Sequence, residues 1–420
     1  MKTKIKNKLK ELAKEREFYR TIYRNAQLLK RKWVYRKLYH SEQTNEKIVV
    51  FEAFLGRSFA CNPKALYLAM LHDEAYSDYQ FVWAVNNTEK YAYLKKNNNT
   101  KVVKRISNAY NKSLAQAKYI IFNSGLPAYV KLREDQIYVQ TWHGTPLKRL
   151  GCDIKASGSA AFSLKEIKKQ YRTNGKKFTY LLSPSAYVTE KLSSAFDLSK
   201  ERQEQIIIEE GYPRNDALFK YNLEQLQSFK QGLKLPENKK IILYAPTFRD
   251  NNYEFSVGFK YSGKLDFDAL KENIGDEAII LFRAHCQIAD KFNFEKYDGF
   301  VFNVSKYEDI NELYGISDLL ITDYSSVLFD YAILKKPIIF YMYDLDEYQN
   351  NIRDFYFDLL ELPGPIVKTE EELTIEIRNQ LDNFEYDDKY RVFNEKFNYL
   401  DGNDCSEKVL RRIMEQAISQ

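Results

Sequence analysis

Only four cysteines occur in 420 residues, at 61, 152, 286 and 405, and no two form a CxxC pair. That usage argues against a disulfide framework or a zinc site and predicts a reducing setting. No apolar run approaches the roughly 18–20 residues that a transmembrane helix needs. The N-terminus has no apolar core of the kind a secretory signal carries. Neither a Walker A loop nor GxGxxG is present, so ATPase and dinucleotide readings lose support, and no HExxH or similar cluster suggests a metal. Histidine is also scarce, with four in the chain. There is no convincing internal repeat and no low-complexity segment.

What is present is a globular composition. Hydrophobic residues make up 44% and charged residues 29%, and the 33 Tyr and 27 Phe supply large buried area. The length suits two domains of about 150–200 residues each. The net charge of +6 is unevenly placed: residues 1–40 hold 14 Lys/Arg against 3 Glu, a net +11, leaving −5 on the remaining 380. This basic stretch has no Gly or Pro and reads as helix. Leu28, Leu29, Trp33 and Leu38 are interspersed with the cations, as on a helix lying against an acidic bilayer. A solvated helix packed on the body is the plainer alternative.

Beyond it, short apolar runs alternate with helix-like stretches. Strands are predicted at 47–54, 80–85, 119–123, 137–143, 178–183 and 206–211. After a polar helical segment at 215–238 they resume at 239–248, 278–285, 299–304, 318–324 and 336–343. This alternation predicts parallel sheets covered by helices. The expected organisation is a basic extension at 1–45 and two doubly wound α/β domains, at 46–205 and 206–420. The final helix, 403–418, could pack on either domain. Ligands in such sheets bind at the carboxyl ends of the strands, so two facing domains would frame a cleft.

Several motifs fall at those ends. In TWHGTPLK a strand runs into His143, and Gly144 and Pro146 enforce a turn, with Thr145 between them and Lys148 five residues beyond the histidine. A neutral imidazole suits a general base for an alcohol, and a structural turn histidine is the alternative. Arg283 and His285 lie two apart at another strand end and can both donate to phosphate. Asp323, Ser325 and Ser326 close a strand where a helix opens, which is either a phosphate cradle or an ordinary N-cap. Thr247 and Arg249 follow a further strand. Arg214 and Asp216 sit in GYPRND, where surface ion pairing or helix capping would also account for them.

Together these segments resemble the CDP-glycerol glycerophosphotransferase family, the teichoic acid primases and polymerases of Gram-positive bacteria. The resemblance rests on TWHGTPLKRLG (141–151), SPSAYVTEKL (183–192), GYPRND (211–216), LYAPTFRD (243–250), ISDLLITDYSSVLFDYAILKKPIIFY (316–341), LPGPIV (362–367) and DGNDCSEKV (401–409). FEAFLGRSFACNPKALYLAM (51–70) is similar too. It implies a GT-B architecture of two Rossmann-like domains with the active site between them. His143 would be the acceptor-side base and His285 would lie near the donor pyrophosphate. Arg249, Arg283, Thr247, Asp323, Ser325 and Ser326 would lie on the donor side. Lys148, Thr145, Arg214 and Asp216 would be acceptor-side or supporting residues. The family usually has Pro after the second histidine, and here Cys286 stands there.

The implied reaction is attack of an acceptor hydroxyl on the β-phosphorus of a CDP-alditol, CDP-glycerol or CDP-ribitol, with release of CMP. No tightly bound cofactor or metal is expected. The implied partners are a lipid-linked polyprenyl-diphosphate glycan acceptor and an anionic membrane surface, at the cytoplasmic face of the membrane and without nucleic acid. A GT-B glycosyltransferase using a UDP-sugar would share the fold. A nucleic-acid-binding protein would explain the basic extension but not the acidic body.

Overall fold

The computed structural model describes residues 17–155, 163–247, 253–254, 258–259, 265–284, 294–345 and 355–418. The chain forms two compact units, one holding residues up to 59, 70–141 and 177–179, the other holding 60–69, 142–176 and 180 onward.

The chain enters through a 25-residue helix, α1 (Glu17–Ser41), and continues through β1 (Asn45–Glu52), α2 (Cys61–His72), β2 (Gln80–Val85), β3 (Thr100–Lys104), α3 (Asn108–Gln116), β4 (Ala117–Phe122) and β5 (Ile137–Gln140). In the first unit the strands run parallel in the order β3-β2-β1-β4-β5. Val49–Phe51 and Ile120–Phe122 are wholly buried, as strands covered on both faces must be. β3 escapes the sequence prediction because Lys101 and Lys104 interrupt its apolar pattern at the sheet edge.

α1 is docked on this unit at its C-terminal end. Tyr35 is 1% exposed and meets Tyr129 edge-on at 6.0 Å. The Arg133 guanidinium donates to the carbonyls of Tyr39 and Glu42 at 2.5 and 2.7 Å, holding the helix end to the body. Leu29 and Trp33 are 66% and 60% exposed, and Lys37 lies 3.8 Å over the Trp33 ring.

The second unit contains α4 (Leu164–Gly175), β6 (Tyr180–Ser183), α5 (Ala186–Phe196), α6 (Lys200–Ile206), β7 (Ile207–Glu209), α7 (Asp216–Lys220) and α8 (Leu223–Gly232). β8 (Lys240–Ala245) then opens a second sheet. It is followed by a two-residue hairpin, β9 (Tyr253–Glu254) with β10 (Gly258–Phe259), then α9 (Phe267–Ile274), β11 (Ala278–Phe282), β12 (Val301–Asn303), α10 (Ile310–Ile316), β13 (Leu319–Thr322) and α11 (Val327–Ala332). β14 (Ile338–Tyr341), β15 (Ile366–Val367), α12 (Glu370–Asn383), α13 (Asp388–Phe397) and α14 (Cys405–Ile418) complete it.

The second sheet has six strands in the order β12-β11-β8-β13-β14-β15, parallel throughout. The strand order of the first unit recurs here, with the chain reversing its direction of travel across the sheet between β8 and β13. Ile241–Leu243 and Ile279–Phe282 are 0% exposed, and Ile242, Ile280 and Phe282 share a core with Phe267, Leu270 and Ile274 of α9. Helix ends follow local chemistry: Ser163/Glu166, Asn222/Gln225 and Thr369/Glu372 form reciprocal capping boxes on α4, α8 and α12.

Several motif segments serve this architecture. Arg214 is 7% exposed and clamps Asp330 with Nε and Nη2 at 3.1 and 2.8 Å. Its own backbone carbonyl accepts from Asn311 at 2.6 Å. Asp216, buried, accepts from the amides of Cys405 and Ser406 at 3.0 and 2.9 Å, so it caps α14. Asp401 accepts from the Tyr212 amide and from Asn215. Burial pushes the Asp401 carboxyl up to about 7. Arg214 and Asp216, expected on the acceptor side or in support, have their charged ends bonded inside the fold.

Candidate active site

The carboxyl ends of the three central strands of the second sheet gather most of the donor-side candidates. At the end of β13, Thr322 Oγ1 donates to the Ala245 carbonyl at 2.8 Å. Asp323 Oδ1 accepts from the Thr247 amide at 2.8 Å and from the Tyr324 amide at 2.6 Å. Asp323 is 3% exposed, so it ties the β8 loop to the β13 loop across the point where strand order reverses. That crevice is where open α/β sheets bind ligands.

Arg283, after β11, donates from Nη1 to the carbonyls of Val304 and Tyr307 at 3.1 and 2.8 Å, which braces the loop after β12. Ser325 and Ser326 are half-buried. Ser326 occupies the cap position of α11 without a side-chain cap bond, while the Ser325 hydroxyl lies 3.5 Å from the Val327 amide. α11 has only six residues, so the hydroxyls and loop amides, rather than a long helix dipole, are what this end offers a phosphate. Arg249, His285 and Cys286 lie outside the described residues.

The 142–150 loop meets this loop. A β-carbon built on Gly144 would stand 2.8 Å from Ser326 Oγ and 3.2 Å from its Cβ, so a larger residue there would press the two loops apart. His143 is exposed beside it, and its ring lies 4.7 Å from the Trp142 ring at 30°. Trp142 holds φ +53°, a left-handed conformation that costs a bulky residue on the order of 1–3 kcal/mol. Thr145 is 2% exposed, and the neighbouring Pro146 carbonyl accepts from Tyr187 Oη at 2.9 Å, so Thr145 lies within the loop's packing.

Lys148, half-buried, forms an antiparallel bridge with Phe355, and the Tyr356 amide donates to Leu147 O at 2.9 Å. Phe355 stacks on Tyr324 at 5.7 Å and 27°. The structure thus brings His143, Gly144 and Lys148 onto the same loop cluster as Asp323, Ser325 and Ser326.

Sequence reasoning missed residues that hold this cluster. Phe355 and Tyr356 carry no motif signal. Asn62, in the first turn of α2, carries none either. Apart from that cluster, sequence reasoning also missed Glu52, at the end of β1 in the first unit, which is wholly buried and accepts from Arg105 Nε at 2.9 Å and Tyr110 Oη at 3.0 Å. Burial pushes its carboxyl up despite the adjacent guanidinium. Its place at a strand end was the available signal. Among the described residues no group of three His, Cys, Asp or Glu is assembled to hold a metal ion.

Two doubly wound parallel sheets, with hydroxyls and loop amides at a switch point beside an exposed histidine, define a GT-B-like transferase. The profile of the CDP-glycerol:poly(glycerophosphate) glycerophosphotransferase family matches residues 34–415. The chain is 38% identical over 372 residues to a teichoic acid poly(glycerol phosphate) polymerase of Bacillus spizizenii, covering 88% of this chain and 92% of the relative. It is 35% identical to a teichoic acid glycerol-phosphate transferase of Staphylococcus aureus, over 97% of this chain and 99% of that one.

Among solved structures, the wall teichoic acid polymerase TagF superposes with a TM-score of 0.83 at 33% identity, covering 97% and 99% of the two chains. A TagF variant soaked with CDPG gives 0.83 at 34% identity, covering 97% and 99%. A UDP-N-acetylglucosamine 2-epimerase of Listeria monocytogenes, 14% identical with a TM-score of 0.52, shares the fold alone. The chain belongs to the CDP-glycerol glycerophosphotransferase family and is a transferase of teichoic acid synthesis.

Proposed function

We propose that this protein moves glycerol phosphate from CDP-glycerol to a hydroxyl of a lipid-linked acceptor at the membrane surface, with His143 as general base. The acceptor oxygen, losing its proton to His143, attacks the glycerol-bearing phosphorus. The bond from that phosphorus to the bridging oxygen breaks, and CMP leaves. Negative charge grows on the bridging and non-bridging oxygens as this happens. Lys148, the Ser325 and Ser326 hydroxyls and the loop amides around them would meet it, with Arg249 and His285 assigned to the donor phosphates from sequence. In this reading the phosphate charge is met by the chain's own side chains, without a tightly bound metal.

The observation that carries the reading is the approach of Gly144 to Ser326, which sets the histidine loop directly against the loop at the β8/β13 switch point. Glycerol is favoured over ribitol by identity: four relatives named for glycerol phosphate match at 35–39% and cover 87–97% of the chain, while a glycerol-phosphate primase matches at 31% over 73%. Those named for ribitol phosphate match at 30–32% over 71–74% of it.

Attachment to a lipid surface is supported by α1, whose exposed Leu29 and Trp33 stand among Lys30, Lys32, Arg36 and Lys37 on a helix fixed to the body by Tyr35 and Arg133. Among the described residues no helix is long and apolar enough to cross a membrane.

The test is a donor panel with a short synthetic lipid acceptor: CDP-glycerol, CDP-ribitol and UDP-sugars, scored by CMP or UDP release. CMP release with CDP-glycerol well above the others is expected. Preferential use of CDP-ribitol or of a UDP-sugar would overturn the assignment.

A further inference from the structure

His143 is preceded by a residue in a disfavoured conformation, and such a conformation persists only where its surroundings hold it. Trp142 is held by contacts that include two from beyond its own loop. Its ring packs edge-on against Phe196 at 5.5 Å and 87°. Its carbonyl accepts from Asn62 Nδ2 at 3.3 Å.

Asn62 is 0% exposed, and at its other end Oδ1 accepts from the Arg214 amide at 3.1 Å. A carboxamide supplies a donor and an acceptor from one short planar group, and these two partners fix which way it points. Arg214 in turn clamps Asp330, which ends the segment that begins with Asp323, Ser325 and Ser326. One buried chain of contacts therefore runs from the peptide before His143, through Asn62 and Arg214, to the helix behind the switch-point loop.

We propose that Asn62 is a positioning residue for His143. By fixing the Trp142–His143 peptide it sets where the imidazole stands relative to the 323–326 loop. It touches no substrate and acts through His143, so the inference rests on the reading of His143 as base. Proximity effects make the consequence kinetic: a displacement of about 1 Å at a reacting group can cost on the order of a hundred-fold in rate.

Asn62→Asp keeps the volume and the acceptor for Arg214 but turns an anionic oxygen toward the Trp142 carbonyl. Asn62→Ala removes both bonds and adds no charge. Each is measured for melting temperature, KM for CDP-glycerol and kcat with a soluble acceptor. The same substitutions are made in a His143→Ala background, read in single turnover with enzyme in excess. At least one variant should melt close to wild type, keep its donor KM within about two-fold, and lose roughly ten- to hundred-fold in kcat. In the His143→Ala background that loss should vanish, because there is no imidazole left to aim.

A kcat within two-fold of wild type overturns the proposal. So does an equal fractional loss in both backgrounds, or a loss in which melting temperature and donor KM worsen in both variants, since each of these marks a merely structural asparagine. Near-wild-type turnover of His143→Ala itself would instead refute the base assignment, a separate outcome visible in the parent enzyme.

Discussion

Replacing Gly144 with Ala perturbs the contact on which assembly of the candidate site depends. The new methyl would meet Ser326 Oγ at 2.8 Å and Ser326 Cβ at 3.2 Å. The hydroxyl can rotate away, but the β-carbon cannot, so the two loops must part by a few tenths of an ångström. Overpacking in a close-packed region costs about 1–3 kcal/mol, and a half-buried serine at a loop puts this case near 1 kcal/mol. Melting temperature should therefore move by only a few degrees.

The rate should move more. If about 1 Å of misplacement costs on the order of a hundred-fold, a few tenths cost roughly three- to ten-fold in kcat. The cause is isolated by repeating the substitution in a Ser326→Gly background, where both offending atoms are gone. Each double variant is compared with its own parent, since Ser326→Gly by itself is expected to weaken donor use. Gly144→Ala should then cost less than about two-fold. Equal losses in the two backgrounds, or no loss in either, would refute the claim that the histidine loop is seated on the Ser326 loop.

Two other perturbations probe the helix and the buried support. Leu29→Ser with Trp33→Ser should leave melting unchanged, because both side chains are largely exposed, while weakening binding to anionic vesicles about ten-fold or more in a sedimentation assay; unchanged vesicle binding would end the membrane role of α1. Point substitution is preferred to truncation because deleting α1 would strip Tyr35 from Tyr129 and remove the Tyr39 carbonyl that Arg133 bonds. Asp401, raised by burial from about 3.8 to about 7, binds a proton more tightly folded than unfolded. Its contribution is fully present below about pH 4 and is lost as pH rises through about 7, so Asp401→Asn should flatten the decline in denaturant midpoint between pH 5 and pH 8. An unaltered pH slope would show that this carboxyl is not the group responsible.

Much of this was legible because buried parallel strands read as continuous apolar runs. Ile241–Leu243 and Ile279–Phe282 sit where hydrophobicity alone placed them. Edge strands were harder, as β3 with its two lysines and the two-residue β15 show. The loops carrying His143 and Asp323–Ser326 were legible because Gly, Pro and Ser interrupt those runs at strand ends. The roles of Arg214, Asp216 and Asn62 were not. Their partners lie 80 to 190 residues away in sequence, at Trp142, Asp330, Cys405 and Ser406, and nothing local tells a clamped arginine from a substrate-binding one. Arg283 shows the same limit, since it sits at a strand end as expected yet spends part of its guanidinium on backbone carbonyls.

The proposed role of His143 as the base that activates the acceptor is tested most directly by one measurement: CMP release from CDP-glycerol by His143→Ala with a soluble lipid-like acceptor, beside calorimetric binding of CDP-glycerol to the same protein. Loss of a general base commonly lowers turnover by about 10²–10⁴-fold. The exposed position of His143 predicts that the fold and the donor Kd stay within about two-fold of wild type while turnover falls by that amount. Turnover near wild type, or a loss explained by equally weakened donor binding, would contradict the account.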